Sequence, residues 1–429
     1  MQASYFTYEG INYFWRESTM IGNVIVGQSG GPTSVINSSL AGVFKTAKDL
    51  GAPKVYGMRH GIQGFLDGNI VDMEEKIKSD LDLELLKRTP SAFLGSCRFK
   101  LPEINANREL YDKIFEKLNE LDIKAFFYIG GNDSMDTIMK LSDYAILINS
   151  PIRFMGVPKT IDNDLPVTDH TPGFGSAAKY IASVTKELIR DGLVYDMKLV
   201  TIIEIMGRNA GWLTGASVLS RCEDCEGVDL IYMPEIPFDI EAFKKKVGEL
   251  FEKKKGIVIA VSEGVKTADG QYVFELADHT EFVDAFGHKQ LSGTAKYLAD
   301  VIGAEFGCKT RAVELATLQR CAGHMTSRVD ITEAYQVGGT AVRAAFEEDE
   351  TGKMVILKRV SSDPYICTTD LYDVHKVANI EKKVPMEWIT DDGTNVSQDM
   401  ANYIRPLIQA ELSPIMITGQ PRHIVIDLD

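Results

Sequence analysis

The sequence predicts an α/β fold of two lobes, each built on a mostly parallel sheet flanked by helices, and three observations support this. Apolar runs typical of buried strands alternate with longer amphipathic stretches typical of helices. Two of the apolar runs end in glycine turns that open directly into a helix, a common connection in parallel sheets. The chain has 429 residues, more than one domain usually holds, so two lobes are expected.

The first glycine turn follows the strand-like residues 22–27 and leads through Gly30 and Gly31 into a helical pattern over residues 35–50. Glycine allows a ligand to approach the backbone closely, and the free N–H groups of a helix N-terminus favour a phosphate. A tight turn without a ligand explains the same residues, because the segment is neither a Walker loop nor a full dinucleotide fingerprint. The turn alone leaves both interpretations open.

The second glycine turn, Gly130 to Ser134, follows the apolar residues 125–129 and precedes a helical pattern over residues 135–141. Asn132 and Asp133 offer oxygen ligands of the kind that Mg2+ takes alongside phosphate and water. An Asx-type turn that caps the helix explains either residue taken singly. Two such turns at the carboxyl ends of strands would face one crevice, where open parallel sheets bind their ligands.

A short polar loop, Pro158 to Asp164, places two carboxylates beside a lysine and a threonine. Asp162 could take a proton from a hydroxyl within hydrogen-bond reach, and Lys159 could stabilise a phosphoryl group in transfer. The alternative is a solvated turn, since Asp, Asn and Thr are common in turns of any protein.

The remaining pattern continues the alternation of strands and helices. Strands are predicted over residues 199–205, 256–262 and 354–360, and helices over residues 175–190, 240–255 and 291–306. Residues 363–373 and 389–395 are predicted to be loops.

Composition excludes several classes of protein. The chain has 46 basic and 61 acidic residues and a formal charge of −15, which argues against a general nucleic-acid surface. No apolar segment is long enough to span a bilayer, and residues 1–19 lack the pattern of a secretory signal, so we expect a cytoplasmic protein. Those residues are either a dispensable extension, or an upstream start, or an arm whose aromatic side chains pack on a partner subunit.

The six cysteines are scattered and are expected to be reduced thiols. Cys222 and Cys225 have metal-compatible spacing, but no second pair accompanies them, so a zinc or redox role is disfavoured. His170 lies near the polar loop and is expected to be structural.

Eight segments resemble, in residues and in order, the motifs of the phosphofructokinase family, over residues 20–342. They are Ser29-Gly30-Gly31, Gly95-Ser96-Cys97-Arg98, Gly130 to Ser134, Thr160 to Asp164, Thr168 to Phe174, Met206-Gly207-Arg208, Ser262-Glu263-Gly264 and Gln319-Arg320. A match to any one motif has a high risk of being false, whereas a chance match to eight motifs in the same order is far less plausible.

That family transfers a phosphoryl group to the 1-hydroxyl of fructose 6-phosphate, and the resemblance implies the catalytic residues. Asp162 corresponds to the base that accepts the hydroxyl proton, and Thr160 would hydrogen-bond the group in transfer. Asp164 would lie near a Mg2+ ion, with Asn132 and Asp133 as further metal ligands. The family more often has aspartate where Asn132 stands.

The resemblance also implies a sugar-phosphate site. Its residues are Thr160, Asp162, Met206, Gly207, Arg208, Glu263, Arg311, Thr317 and Arg320. Arg311 and Arg320 match positions that hold the 6-phosphate, and the family typically draws one of these arginines from a neighbouring subunit. A homo-oligomer, dimer or tetramer, with shared sugar-phosphate sites is therefore expected. Thr317 departs from the histidine of ATP-using relatives and from the tyrosine of many diphosphate users.

Two residues predict diphosphate as the phosphoryl donor. ATP-using relatives have glycine at the positions of Asp133 and Lys159, and both changes occur in the diphosphate-dependent branch. A carboxylate at 133 would repel the inner phosphate of a nucleotide, while Lys159 would add positive charge at the diphosphate. The predicted donor site comprises Gly31, Arg98, Lys100, Asp133 and Ser134, with Lys159 as a catalytic residue.

The expected donor lobe covers residues 20–173 with a returning segment near 319–350, and the expected sugar lobe covers residues 174–318. Residues 351–429 match less clearly and are expected to extend the sugar lobe or a subunit contact. Two other functions stay open: an ATP-dependent phosphofructokinase that tolerates Asp133 and Lys159, and a non-catalytic regulatory subunit that binds sugar phosphates.

Overall fold

The computed structural model describes residues 21–277 and 293–426. Residues 1–19, with the three interpretations of them given above, lie outside the described residues, as do the first two residues of the helix predicted over 291–306. Within the described part of the chain, none of the helices combines the length and the apolar character that crossing a bilayer requires.

Two parallel-rich sheets organise the chain, and their strands alternate with helices as predicted. The strands of the described residues are, in chain order, β1 (Asn23–Gln28), β2 (Val55–Met58), β3 (Ile70–Asp72), β4 (Ile123–Gly130), β5 (Arg153–Pro158), β6 (Leu199–Ile205), β7 (Leu230–Tyr232), β8 (Gly256–Ser262), β9 (Lys309–Glu314), β10 (Lys353–Ser362), β11 (Tyr365–Asp373), β12 (Met416–Ile417) and β13 (Gln420–Pro421).

Helices cover both sheets. Those of the described residues are α1 (Ile36–Asp49), α2 (Gly61–Leu66), α3 (Met73–Lys76), α4 (Asp80–Arg88), α5 (Arg108–Glu120), α6 (Asn132–Leu147), α7 (Phe174–Gly192), α8 (Trp212–Ala216), α9 (Ile240–Phe251), α10 (Thr294–Phe306), α11 (Leu318–Cys321), α12 (Arg328–Glu347) and α13 (Gln398–Ile404). Short 3-10 turns occupy Ser217–Ser220, Val273–Leu276, Gly323–Met325, Val374–Lys376, Met386–Trp388 and Arg405–Ile408.

The larger sheet has the strand order β11-β10-β5-β4-β1-β2-β3. Its five middle strands are parallel, and antiparallel partners close both edges. Along β1 the side chains of Val24 and Val26 join the core that includes α1 and α12, whereas Ile25 joins the core that includes α2, α5 and α6. The strand is apolar on both faces because helices cover both sides of the sheet.

The smaller sheet, in the order β7-β8-β6-β9, is wholly parallel. One face packs against α7, α8 and α13, and the other against α9 and α10. Each lobe is thus a mostly parallel sheet flanked by helices, which confirms the predicted fold class.

The prediction of a loop over residues 363–373 is wrong, because Tyr365–Asp373 forms β11 and pairs antiparallel with β10. Its side chains alternate between half-buried positions such as Cys367 and exposed ones such as Thr368. An edge strand needs only one covered face, so its many polar residues are compatible with a strand. The second predicted loop, residues 389–395, is a turn in which the Thr390 N–H bonds to the Asn395 carbonyl at 2.9 Å.

The C-terminal region, residues 351–429, contributes to both lobes. We expected residues 351–429 to extend the sugar lobe or a subunit contact, but β10 and β11 extend the seven-stranded sheet. Met400 and Ile404 of α13 pack instead in the core of the four-stranded lobe.

Candidate active site

Three loops meet at one edge of the seven-stranded sheet because β1, β4 and β5 are parallel neighbours. The N–H of Ser29, after β1, bonds to the carbonyl of Ile129 at 3.0 Å. The N–H of Lys159, after β5, bonds to the carbonyl of Gly130 at 3.0 Å. Both glycine turns and the loop from Pro158 to Asp164 therefore line one crevice, as open parallel sheets require.

The first glycine turn is held against the Gly95 to Arg98 segment. The Ser96 hydroxyl donates to the Gly30 carbonyl at 2.6 Å, and the Gly30 N–H donates to the Cys97 carbonyl at 3.3 Å. Gly30 has a φ of 76°, in the region that favours glycine. The exposed Arg98 is thereby placed next to the turn.

Arg320 approaches the same turn from the four-stranded lobe, against whose core its neighbour Ala322 packs, although the returning segment predicted near 319–350 would have placed it in the donor lobe. A Cβ on Gly31 would lie 3.3 Å from an Nη atom of Arg320, so the guanidinium nearly touches the turn. The pKa of Arg320 is lowered mainly by burial and, to a smaller extent, by the positive charge of Arg98. Two arginines thus concentrate positive charge beside Gly31, where a phosphate would neutralise it.

The second glycine turn requires glycine at 130, since a Cβ there would lie 1.8 Å from the Ser134 hydroxyl oxygen. Helix α6 begins at Asn132, and the exposed Asp133 lies in its first turn while Ser134 is buried. The Asn132 Oδ1 atom is buried without a hydrogen-bond partner among the described residues. A buried acceptor of this kind usually has a partner, so Asn132 fits a site that binds a cation.

Lys159 is almost fully buried, with 2% of its surface exposed, and its Nζ donates to the Gly31 carbonyl at 2.6 Å. Burial lowers the pKa of Lys159 to about 8, against the raising effect of Asp162. The lysine therefore joins the polar loop to the first glycine turn.

The loop itself is fixed by its own polar groups. The Asp162 N–H donates to the Thr160 hydroxyl at 3.1 Å, and the Thr171 hydroxyl donates to the Thr160 carbonyl at 2.8 Å. Thr160 also forms a bridge with Gly173, immediately before α7. These bonds connect the loop to the start of the second lobe.

Two half-buried carboxylates of this loop, Asp162 and Asp164, lie close enough for the charge of the first to affect the pKa of the second. Burial raises the pKa of Asp162, while the positive charges of Lys159 and Arg208 oppose that rise. Burial, with the negative charges of Asp162 and Glu381, raises the pKa of Asp164 to about 7. Carboxylates that repel each other in this way favour either a shared proton or a cation.

The sugar-binding motif of the resemblance lies across the crevice from Asp162. The Gly207 N–H donates to a Glu263 carboxylate oxygen at 3.3 Å, and the Ser262 hydroxyl donates to the Gly207 carbonyl at 2.5 Å. Burial raises the pKa of Glu263 to about 8. The negative charge of Asp162 adds to this rise, and the positive charge of Arg208 opposes it. Arg208 and Glu263 are therefore close to the carboxylate predicted to act as base.

Of the predicted site residues, Arg311 lies outside this cluster, while Thr317 and Lys100 are exposed. Arg311 forms an ion pair with Asp191 near the end of α7, and its guanidinium carbon lies 5.4 Å from the Tyr195 ring centre. Asp191 follows Gly173 by 18 residues, roughly 27 Å along a helix, so Arg311 lies far from its own crevice. Thr317 and Lys100 are exposed, and Thr317 is connected to the site through its carbonyl, which accepts the Arg320 N–H at 3.2 Å.

Sequence reasoning missed three residues that the fold brings to the site. Gln319 is buried and accepts the Met206 N–H at 3.3 Å; its motif was recognised, but no role was given to it. Glu381 and Lys382 reach the crevice from the segment after β11. No sequence pattern marks that segment, because its contacts are all long-range.

One cluster among the described residues has the ligand spacing of a metal site: His170, Glu333 and Cys367, with ligand atoms within 4.8 Å of one another. Both ring nitrogens of His170 bond to carboxylates, Asp169 at 2.8 Å and Glu333 at 2.6 Å. Burial opposes protonation, but the two carboxylates raise the pKa of His170 to about 9. The histidine is thus a buried imidazolium in an ion-pair network, which agrees with a structural role.

Comparison with known proteins places this geometry in a family. The model of the family described as Phosphofructokinase matches residues 23–345. The chain is 39% identical over 404 residues to a pyrophosphate--fructose 6-phosphate 1-phosphotransferase of Halomonas elongata, covering 93% of this chain and 95% of that protein. A protein of the same name from Methylococcus capsulatus is 38% identical over 410 residues, which cover 94% of this chain and 96% of that protein.

The crystal structure of a pyrophosphate-dependent phosphofructokinase from Nitrosospira multiformis superposes with a TM-score of 0.84 at 36% identity, covering 94% of this chain and 96% of that one. Fold, motif order and sequence likeness over nearly the whole length agree. The chain belongs to the phosphofructokinase family.

Proposed function

We propose that the protein reversibly transfers a phosphoryl group from diphosphate to the 1-hydroxyl of fructose 6-phosphate, giving fructose 1,6-bisphosphate and phosphate. The relatives named above are called a pyrophosphate--fructose 6-phosphate 1-phosphotransferase or a pyrophosphate-dependent phosphofructokinase. The observation that carries the proposal is the buried Lys159, whose ammonium bonds to the first glycine turn and faces Asp162. Phosphoryl transfer depends on such fixed positive charge more than on covalent chemistry.

Asp162 acts as the general base. Lys159, Arg208 and Arg320 all favour its ionised form against the effect of burial, so that it can accept the proton of the sugar hydroxyl. Arg208 and Glu263 hold the sugar opposite it, and Thr160, whose hydroxyl already contacts the Asp162 N–H, bonds to the group in transfer.

The donor lies over the glycine turns of the seven-stranded lobe. Gly31 leaves room for it, and Arg98 and Arg320 approach this turn with positive charge. Ser134, below Gly130, lies at the N-terminus of α6, whose N–H groups favour a phosphate. Lys100 is exposed and would reach the donor only with its long side chain.

The residues present fit a Mg2+ site. Asn132 has an unpartnered buried oxygen, Asp133 has an exposed carboxylate in the same turn, and burial beside Asp162 raises the pKa of Asp164. These three residues would hold Mg2+, which when bound neutralises phosphate charge.

The choice of donor follows from Asp133. The family resemblance implies that its exposed carboxylate, in the first turn of α6, meets the inner phosphate of a nucleotide, and the repulsion would disfavour ATP. An ATP-dependent enzyme is the first alternative. A non-catalytic sugar-phosphate-binding subunit is the second, although Thr160, Asp162, Asp164 and Arg208 are all retained.

A homo-oligomer with a shared sugar-phosphate site explains the position of Arg311. Arg311, on β9, pairs with Asp191 at the far end of α7, and the residues that follow Asp191 in the chain include the exposed apolar Leu193, Val194 and Met197. Exposed apolar groups that cluster at one place favour burial against a partner. Arg320 would then hold the 6-phosphate from within the subunit and Arg311 from its neighbour.

The direct test is an assay of the purified protein with fructose 6-phosphate and either diphosphate or ATP, in the presence of Mg2+. Turnover with diphosphate at least 100-fold above that with ATP is expected. High ATP activity with none from diphosphate would overturn the proposal, and sugar-phosphate binding without turnover would favour the regulatory subunit.

The base is tested by Asp162→Asn, with the exposed Asp67→Asn as a matched control. The first variant should lose several orders of magnitude in kcat while still binding fructose 6-phosphate, and the control should keep wild-type kcat. A loss under tenfold, about 1.4 kcal/mol of barrier, would remove Asp162 from that role.

A further inference from the structure

The segment 379–384, which we name the strap, follows β11 and runs between the two lobes beside the crevice. On the larger lobe, the Asn379 amide donates to Asp136 of α6 at 3.0 Å. On the smaller lobe, the Val384 N–H donates to a Glu235 carboxylate oxygen at 3.1 Å. The strap lies beyond the residues that match the family model, so the family motifs assign it no role.

Lys382, in the middle of the strap, bonds to the catalytic loop with its backbone and with its side chain. Its N–H donates to the Asp164 carbonyl at 2.7 Å. Its Nζ donates to the carbonyls of Asp169 at 2.8 Å and Thr168 at 3.1 Å, and to the Asn163 side-chain oxygen at 3.4 Å. A lysine ammonium has three donors, and all three have partners on this one loop.

The same residue is bound to the smaller lobe. The Trp212 indole N–H donates to the Lys382 carbonyl at 2.9 Å, and the Lys382 ammonium lies 5.2 Å from the centre of the Trp212 ring. Trp212 begins the helix that follows the Met206 to Arg208 motif. Lys382 therefore connects the loop that carries the base with the segment that follows the sugar-binding motif.

Asn163 shows why such a connection matters. It stands between Asp162 and Asp164 with a φ of 54°, in the left-handed region that asparagine adopts more readily than most non-glycine residues. Its side-chain oxygen accepts the Thr171 N–H at 3.1 Å, and its amide donates to the Tyr403 hydroxyl at 2.9 Å. Lys382 adds a positive charge to this set of bonds, and the resulting turn directs the two carboxylates.

We propose that Lys382 is a positioning residue for phosphoryl transfer, which fixes the Asp162 to Asp164 turn relative to the sugar-binding motif. The proposal rests on the proposed function, since it assigns the turn a part in the reaction. Displacing a reacting group by a fraction of an ångström slows the chemical step more than it weakens binding. Loss of the ammonium should therefore lower kcat and leave both KM values nearly unchanged.

The test compares Lys382→Met with Lys383→Met, the neighbouring and exposed lysine. Steady-state kinetics of the whole protein should show a 10- to 100-fold lower kcat for the first variant, KM values within threefold of wild type, and wild-type behaviour for the second. Lys382→Arg, which keeps the charge, should recover part of kcat. An unchanged kcat in Lys382→Met, or a loss carried by KM alone, would overturn the proposal.

A second measurement does not depend on activity. Hydrogen-deuterium exchange of peptides that span residues 160–171 should be at least tenfold faster in Lys382→Met and unchanged in Lys383→Met. If wild type is active and this exchange is the same in both variants, Lys382 does not hold the loop and the inference fails while the proposed function stands. If wild type lacks diphosphate-dependent turnover, the proposed function fails, and the role of Lys382 in transfer fails with it, whatever the exchange shows.

Discussion

The side-chain ammonium of the buried Lys159 and the backbone carbonyl of the exposed Gly31 are 2.6 Å apart and form a partly buried hydrogen bond. This bond joins the loop after β5 to the turn after β1, two strands that are separated in the sheet by β4. The ammonium also lies close enough to Asp162 and Arg320 for their charges to affect its pKa. A lysine in this position is a fixed positive charge between the first glycine turn and Asp162, the proposed base.

Replacement of that lysine should abolish most of the reaction. We expect Lys159→Met to lower kcat/KM for diphosphate at least 100-fold, because the transferring group loses a preorganised charge in a buried site. The exposed Lys113→Met provides the comparison and should behave as wild type. Steady-state kinetics with varied diphosphate measures the effect; a change below fivefold would show that Lys159 is a structural residue only.

Asp133 should determine which donor is used. The Asp133→Gly variant removes a carboxylate from the first turn of α6, and with it the repulsion of a nucleotide phosphate. We expect the ratio of kcat/KM for diphosphate to that for ATP to fall at least tenfold. The measurement is a paired assay with the two donors at saturating fructose 6-phosphate. An unchanged ratio would mean that the pocket discriminates by another feature.

Much of this site could be predicted because its chemistry is local in sequence. The two glycine turns and the loop with Asp162 each lie within seven residues or fewer, and strands end where the apolar runs end. The fold class followed from the same alternation, and the comparisons confirm it.

What the sequence did not reveal depends on tertiary contacts. Lys382 lies more than 200 positions from the carbonyls that it binds, and nothing in its neighbourhood marks it. The edge strand β11 alternates polar with weakly apolar residues, and its single covered face produces a weak pattern. Arg311 matches a family position, but its distance from the crevice follows only from the length of α7.

The buried imidazolium of His170 should make stability depend on pH. In the folded state its pKa is raised to about 9 from 6.5. A group whose pKa is raised by folding stabilises the protein fully below the unfolded value and loses that effect as pH rises through the folded value. The stabilisation, on the order of 3 kcal/mol, should therefore be complete at pH 6 and lost above pH 9.

The comparison of wild type with His170→Gln isolates this effect from other buried groups that titrate nearby. Urea denaturation at pH 6, 7.5 and 9.5 should give a difference in free energy of unfolding that is largest at pH 6 and shrinks steadily towards pH 9.5. A difference that stays constant across this range would mean that His170 is neutral when folded, despite its two carboxylate partners Asp169 and Glu333.

Arg311 should serve the active site of a neighbouring subunit rather than its own, because its ion pair with Asp191 lies at the far end of α7. The single variant Arg311→Ala should raise the KM for fructose 6-phosphate at least tenfold with a smaller effect on kcat. Mixing it with Asp162→Asn subunits tests the sharing directly. In a mixed oligomer, a subunit with intact Asp162 can receive Arg311 from its neighbour, so activity at low fructose 6-phosphate should exceed that of either variant alone. No recovery after verified subunit exchange would show that each site is complete within one chain.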